Sequence, residues 1–358
     1  MSDAVALHQG RERRAKLVLI SCACAAVALA ILGVVIGPLQ IAPIDLAKIL
    51  IHQLGLTSAS VSEVKSGVIL NLRIPRVVLA CAVGASLGVA GAAMQGFFRN
   101  PLADPSLIGV SFGGALAAVA VIVLGGAFFG SANALLGPFF LPISAFAGSL
   151  SVVLIIYRVS TIDGRVIVAT MLLAGVAANA LAISGIGYLT FLADDTQLRD
   201  LTFWTLGTLG GATWSRVLPA VALMLTAIAG MLTLARPMNC LLLGEGDAVA
   251  LGVDVERVKR RAALLTALGV GAATAVCGVI SFVGLVVPHL VRLMTGPDHR
   301  YVLPGSALLG AALVLAADLI ARLAVTPAEL PLGVVTAALG APFFFWLLVK
   351  DKRREALG

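Results

Sequence analysis

Residues 262–291 read AALLTALGVGAATAVCGVISFVGLVVPHLV. This 30-residue run holds no Asp, Glu, Lys or Arg, so the one side chain able to carry a charge near neutral pH is His289. A helix rises ~1.5 Å per residue, so an unbroken helix over the run would reach ~45 Å. That is too long for one upright crossing of a ~30 Å hydrocarbon core and too short for two full ones. The flanking charges decide between them. Arg257, Lys259, Arg260 and Arg261 precede the run, and Arg292 and Arg300 follow it. One crossing would put these groups on opposite faces, whereas two crossings put them on the same face. Gly278, Gly284 and Pro288 supply places to turn and break, so the sequence predicts a full helix followed by a shortened one. Interrupted helices are tolerated in a membrane only where protein or a cavity covers the freed backbone groups, which points to a transport path.

The rest of the chain has the same character. Of 358 residues, 60% are hydrophobic and 12% charged, about half the ~25% charged share of a soluble domain. Mean hydropathy is +1.05, and apolar runs such as Leu17–Pro38 and Gly305–Ala317 recur along the chain. A soluble protein with a large core is excluded on this ground. The net charge of +7 follows from lysines and arginines retained in cytoplasmic loops. No basic stripe interleaved with aromatics suggests nucleic acid. The five cysteines, Cys22, Cys24, Cys81, Cys240 and Cys277, lack metal-ligand spacing, so neither a metal site nor a disulfide framework is expected. Arg11, Arg13, Arg14 and Lys16 precede the first apolar run as in a signal peptide, but that run is too long for one. It reads as an uncleaved first helix.

Hydropathy and breakers place spans at about 17–37, 77–98, 106–124, 139–157, 166–188, 217–235, 262–278, 281–293, 303–322 and 331–349. The fold class is therefore all-α, a polytopic membrane protein of about ten helices forming one transmembrane domain over 1–358. With the N-terminus inside, 18 of the 25 lysines and arginines are cytoplasmic, and both termini lie there. Lys48, Lys65, Arg73, Arg76, Arg199, Arg216 and Arg322 fall outside. Spans two to five and seven to ten each run from a basic patch through a Gly/Ala-rich helix to a proline break, the pattern of an inverted repeat.

Little intramembrane chemistry is visible. Asp318 and Arg322 stand four apart on one helix and face each other, and His289 follows Pro288. A proton pump needs a chain of such groups, and an intramembrane enzyme a Ser/His/Asp or HExxH constellation; neither is present. No GxxxxGK[ST] phosphate loop occurs, so any ATP site is on another chain. The longest cytoplasmic loop, about 237–261, holds a short predicted helix, Glu245–Leu251, bounded by Gly244 and Gly252. Its exposed Val249 and Leu251 suit it to a partner's cleft or equally to an ordinary surface helix lying on the membrane.

Several motifs together are specific. Leu72-Arg-Ile-Pro-Arg76, a Gly-rich helix ending Met94-Gln95, and Asn100-Pro-Leu-Ala-Asp-Pro105 come first. Leu243-Gly-Glu245, Ala250-Leu-Gly252, Gly284-Leu-Val-Val-Pro-His289, Asp298-His-Arg300, Glu329-Leu-Pro-Leu-Gly333 and Ala341-Pro-Phe343 follow in order. Over nearly its whole length the chain resembles the bacterial permeases that import iron–siderophore complexes, haem and cobalamin. The resemblance implies a type II importer permease in the bacterial inner membrane. It implies a homodimer, two ATP-binding subunits that use ATP and Mg, and a periplasmic substrate-binding protein, with no cofactor on this chain.

The resemblance also implies roles. Arg73, Arg76 and Arg322 match arginines that receive acidic residues of the binding protein. Leu243, Gly244, Glu245, Asp247, Ala248, Leu251 and Gly252 match the element that inserts into the ATPase. Val168 and Ala169 match the cytoplasmic gate, with apolar residues where the cobalamin branch has small polar ones. The segments Asp194–Trp204 and Leu206–Trp214 resemble the haem branch most, with siderophore and cobalamin import as alternatives. A stand-alone secondary transporter or channel would need a coupling-ion site and no docking loop, the opposite of what is read here.

Overall fold

The computed structural model describes residues 2–37, 39, 41–53, 62–128, 132, 135–325 and 328–355. Seven helices among them are long and apolar enough to cross a membrane, at Gln9–Val35, Glu63–Phe98, Gly137–Val159, Val168–Leu192, Trp214–Leu232, Val255–Cys277 and His299–Leu323. Shorter apolar helices at Val110–Gly125, Val283–Thr295 and Leu332–Phe345 occupy the three remaining predicted positions.

The elements run α1 (Ser2–Val35), α2 (Pro43–Gln53), α3 (Glu63–Val68), a π turn (Ile69–Arg73), α4 (Ile74–Phe98) and α5 (Val110–Phe128). After α6 (Phe140–Val159) come strands β1 (Thr161–Ile162) and β2 (Arg165–Val166), then α7 (Val168–Leu192), α8 (Asp195–Leu206) and α9 (Trp214–Leu232). The chain continues through α10 (Ala235–Leu243), α11 (Glu245–Ala250), α12 (Val255–Cys277), α13 (Val283–Thr295), α14 (His299–Leu323) and α15 (Leu332–Glu355).

Several boundaries differ from expectation. The first helix takes in the basic segment Arg11–Lys16 instead of starting at 17. The second span starts at Glu63 instead of 77, because helix continues past Lys65, Asn71 and Arg73 through the π turn. Pro75 does not break it: it stands in the first turn of α4, where a missing N–H costs least. Three amphipathic or polar segments, α2, α8 and α10, are helical although hydropathy alone left them as connections. Asp194 caps α8 through a capping box, its Oδ1 accepting from the N–H groups of Thr196 and Gln197. Lys65 donates to Asp45 at 2.6 Å and ties α3 to α2; that hydrogen bond holds the Asp45 carboxyl below its usual range.

The broken helix is present, but its break falls at 278–282 alone. Gly278 has φ +74°, and a Cβ there would stand 2.0 Å from the Trp204 carbonyl oxygen. Gly284 and Pro288, expected as turn positions, lie inside α13. The carbonyl freed at the end of α12 is covered by protein: the Thr208 N–H donates to the Cys277 carbonyl at 2.8 Å.

Helix α4 is the centre of the molecule, packed by α14, α13, α12 and α9. Its small residues set the spacing. A Cβ at Gly84 would meet the Gly310 carbonyl oxygen at 2.2 Å, and one at Gly91 the Gly284 carbonyl oxygen at 1.8 Å. Backbones in contact at this distance gain dispersion that larger side chains would forbid. Gly284 is therefore a packing position and not a hinge.

Candidate functional site

Two sites stand at opposite ends of α4. At its start, Arg73, Arg76 and Arg322 line one cleft of about 460 Å³ with Leu209, Gly210 and Glu329. The sequence expected three arginines free to meet a partner; the structure places them differently. Arg73 and Arg322 are buried, 5% and 6% exposed, and both close the C-terminal end of α1. Arg73 Nη1 donates to the carbonyls of Val34 (2.9 Å) and Val35 (2.6 Å), and Nη2 to that of Leu39. Arg322 Nη1 donates to Gly33 (3.1 Å) and Ile36 (3.3 Å). The last carbonyls of a helix have no partners within it, and cations there also meet the negative end of its dipole. Burial follows from that demand.

Arg76 is the member that reaches the surface. Its guanidinium bonds Asp318 Oδ1 at 2.9 Å and both oxygens of Glu329 at 2.9 Å. Asp318 also meets Arg322 at 2.9 Å, the pair that the four-residue spacing predicted. Three guanidinium groups against two carboxylates leave one surplus positive charge. The π turn orients Arg73, and Trp214 Nε1 donates to the Leu70 carbonyl within it at 2.8 Å. Such turns recur at functional positions.

At the other end, α11 is the short helix expected between Gly244 and Gly252, whose φ values of +131° and +82° suit glycine. Leu243, Val249 and Leu251 are each more than 60% exposed, while Ala248 is fully buried and anchors the helix. Glu245 opens the first turn, Asp247 is exposed, and Arg99 lies beside Gly244. The surrounding stretch is less of a loop than expected, because α10 and the start of α12 claim both flanks.

Val168 is half-buried and Ala169 exposed in the first turn of α7. The two-residue strand β2 precedes them, paired with β1 through Thr161↔Val166 and Ile162↔Arg165. The Asp163-Gly164 turn has φ values of +49° and +76°, the Asp-Gly pattern of a tight hairpin. The structure joins this hairpin to α11. Lys259 Nζ donates to Glu245 Oε2 (2.9 Å), Glu256 Oε1 (3.4 Å) and the Val166 carbonyl (3.4 Å). Glu256 Oε2 accepts from the Val166 N–H at 2.9 Å.

The sequence named Lys259 as a flanking charge and Glu329 within a motif but gave neither of them, nor Glu256, a role in a site. A signal for Lys259 was present: Val255, Lys259, Ala262 and Thr266 share one helical stripe, and that stripe is the buried one. Counted with its basic neighbours, Lys259 was treated as a loop charge. Among the described residues no group of three or more His, Cys, Asp or Glu could hold a metal ion.

Comparison with known proteins places these features. The hemin transport system permease protein of Yersinia pestis is 47% identical over 80% of this chain and 84% of its own length. The cobalamin import system permease protein of Halobacterium salinarum is 43% identical over 83% of this chain and 77% of its own. The vitamin B12 import system permease protein of Vibrio parahaemolyticus is 37% identical over 98% of both. A solved metal-chelate-type ABC transporter in an inward-facing conformation superposes with a TM-score of 0.80 at 27% identity, covering 94% of this chain and 99% of that one. A family model matches residues 17–350 from first span to last, so the chain belongs to the FecCD transport family.

Proposed function

We propose that this chain is the membrane-spanning permease subunit of an ATP-driven importer whose cargo is haem. The observation that carries the cargo is the 47% identity to a hemin permease, above that of the cobalamin permeases cited with it. An iron–siderophore complex or cobalamin would use the same architecture. The subunit works as a homodimer with two ATP-binding subunits, which bind ATP and Mg, and with a periplasmic substrate-binding protein. It lies in the bacterial inner membrane as one transmembrane unit, with both termini cytoplasmic as the charge asymmetry requires. Leu173, Leu181 and Phe191 on α7, each more than 70% exposed, offer an apolar face to a second copy and to lipid. Leu243–Gly252 seats in the ATPase, and Val168 and Ala169 form the cytoplasmic gate. The chain itself has no phosphate loop.

The test is vesicle uptake, with ATPase inside and hemin-loaded binding protein outside. Haem should enter only with ATP, and the permease alone should hydrolyse none. Entry of cobalamin or a ferric siderophore with haem inert would move the cargo, and ATP hydrolysis by the pure permease would sink the proposal.

The arginine cleft is the docking site for the binding protein, with Arg76 as its accessible member. Glu329 already occupies Arg76, so an incoming carboxylate must displace it. Glu329→Gln should therefore speed binding-protein association by ~3-fold at low salt and steepen its salt dependence, since rim charges act mainly on the on-rate. Stopped-flow association at two salt concentrations reads this directly. An unchanged rate and slope would remove the cleft from docking.

A further inference from the structure

We infer that Lys259 is a positioning residue that joins the ATPase-docking helix α11 to the hairpin leading into the gate helix α7, so that displacement of one moves the other. The inference rests on the coupling reading of Leu243–Gly252 given above. Lys259 has a side chain only 2% exposed, and a buried ammonium persists only where its charge and donors are answered. It has three N–H donors, and the three acceptors around it come from three places. Glu245 opens α11, Glu256 stands in the first turn of α12, and the Val166 carbonyl belongs to β2. Glu256 turns its second oxygen to the Val166 N–H, so this network holds both main-chain polar groups of Val166.

The placement matters more than the strength. Val166 ends β2 and is two residues ahead of Val168, with Ile167 alone between strand and helix. Ile167 adds a backbone tie, its N–H donating to the Ser160 carbonyl at 2.9 Å. On the other side Glu245 is one residue after Gly244, at the entry to the exposed helix. A push on α11 therefore reaches the start of α7 through one ammonium group and one carboxylate. A surface ion pair would not do this, because solvent and side-chain freedom would absorb the displacement. Here the ammonium itself is buried and held from a second side by Glu256 and the Val166 carbonyl, while the Glu245 carboxylate that links it to α11 is 44% exposed.

Spin labels at exposed Arg165 and Val249, on a cysteine-free background, report the distance between hairpin and docking helix. In the permease alone, the wild-type link should give one narrow distance. Lys259→Met should broaden it and Lys259→Arg restore it. Glu256→Gln, which leaves the Lys259–Glu245 pair in place, should loosen the hairpin alone and serves if Lys259→Met folds poorly. In vesicles with ATPase and hemin-loaded binding protein, Lys259→Met should keep ATP hydrolysis while haem moved per ATP falls at least ~5-fold, the lower range of site-to-site coupling. A merely structural lysine would lower both together or neither. A narrow distance in Lys259→Met, or a broadened one with transport per ATP unchanged, would overturn the inference. If adding ATPase leaves the wild-type Val249 label unperturbed, the coupling reading fails first and the relay falls with it.

Discussion

Asp318→Asn should destabilise the purified subunit by about 3–5 kcal/mol, while Glu329→Gln at the same cluster should change stability by less than about 1 kcal/mol. The two carboxylates share Arg76 but not their surroundings. Asp318 is 1% exposed and answers two guanidinium groups, whereas the Glu329 side chain is 40% exposed and answers one. Removing the buried charge leaves Arg322 with carbonyl partners and no ion pair of its own, since Glu329 is bonded to Arg76. Removing the exposed one lets water take its place. Denaturant unfolding of the two variants in the same detergent gives the comparison. Equal losses, or a near-neutral Asp318→Asn, would mean that the cluster is solvated and the burial argument wrong.

The second large effect is expected at Gly91. A Cβ there would stand 1.8 Å from the Gly284 carbonyl oxygen, 2.5 Å from its carbon and 2.7 Å from its Cα. All three atoms are backbone, so no side chain can turn aside and α4 must part from α13. Gly91→Ala should cost about 3 kcal/mol, the upper part of the range for overpacking. Gly187 is the control. It lies mid-helix in α7 with nothing within 4 Å of its added Cβ, so Gly187→Ala should stabilise by up to about 1 kcal/mol through helix propensity alone. Opposite signs for one substitution at two helical glycines would be hard to obtain otherwise. A Gly91→Ala subunit that unfolds within about 0.5 kcal/mol of wild type would show that the helices separate at little cost.

The ten spans were legible because membrane crossing imposes a length and a composition that each segment must satisfy alone. The short helix α11 was legible for a local reason too, since glycine on both sides gives it ends. What stayed hidden depends on partners remote in sequence. Arg73 and Arg322 look like exposed charges until the end of α1 is placed against them. Gly284 and Pro288 look like breakers because the carbonyl facing Gly91 is not visible in the chain. Lys259 was hidden by company: three arginines beside it made a basic run of the usual kind, while its own position on the stripe of Val255, Ala262 and Thr266 pointed inward. In each case composition gave the residue's chemistry and tertiary contact gave its use.

The closure of α1 has a consequence for how the chain is made. This helix leaves the ribosome well before the donors for its last carbonyls, which stand 39 and 289 residues away in sequence, on Arg73 and Arg322. Arg73 follows soon, but Arg322 arrives only after the next-to-last span has been synthesised. Until then α1 holds its place in the bilayer with part of its C-terminal end open. A nascent chain stalled before residue 322 would carry that open end as a mark of incompleteness, available to whatever inspects membrane proteins during assembly. Synthesis and stabilisation thus run in opposite orders, with a side chain made 289 residues after Gly33 finishing the end of α1.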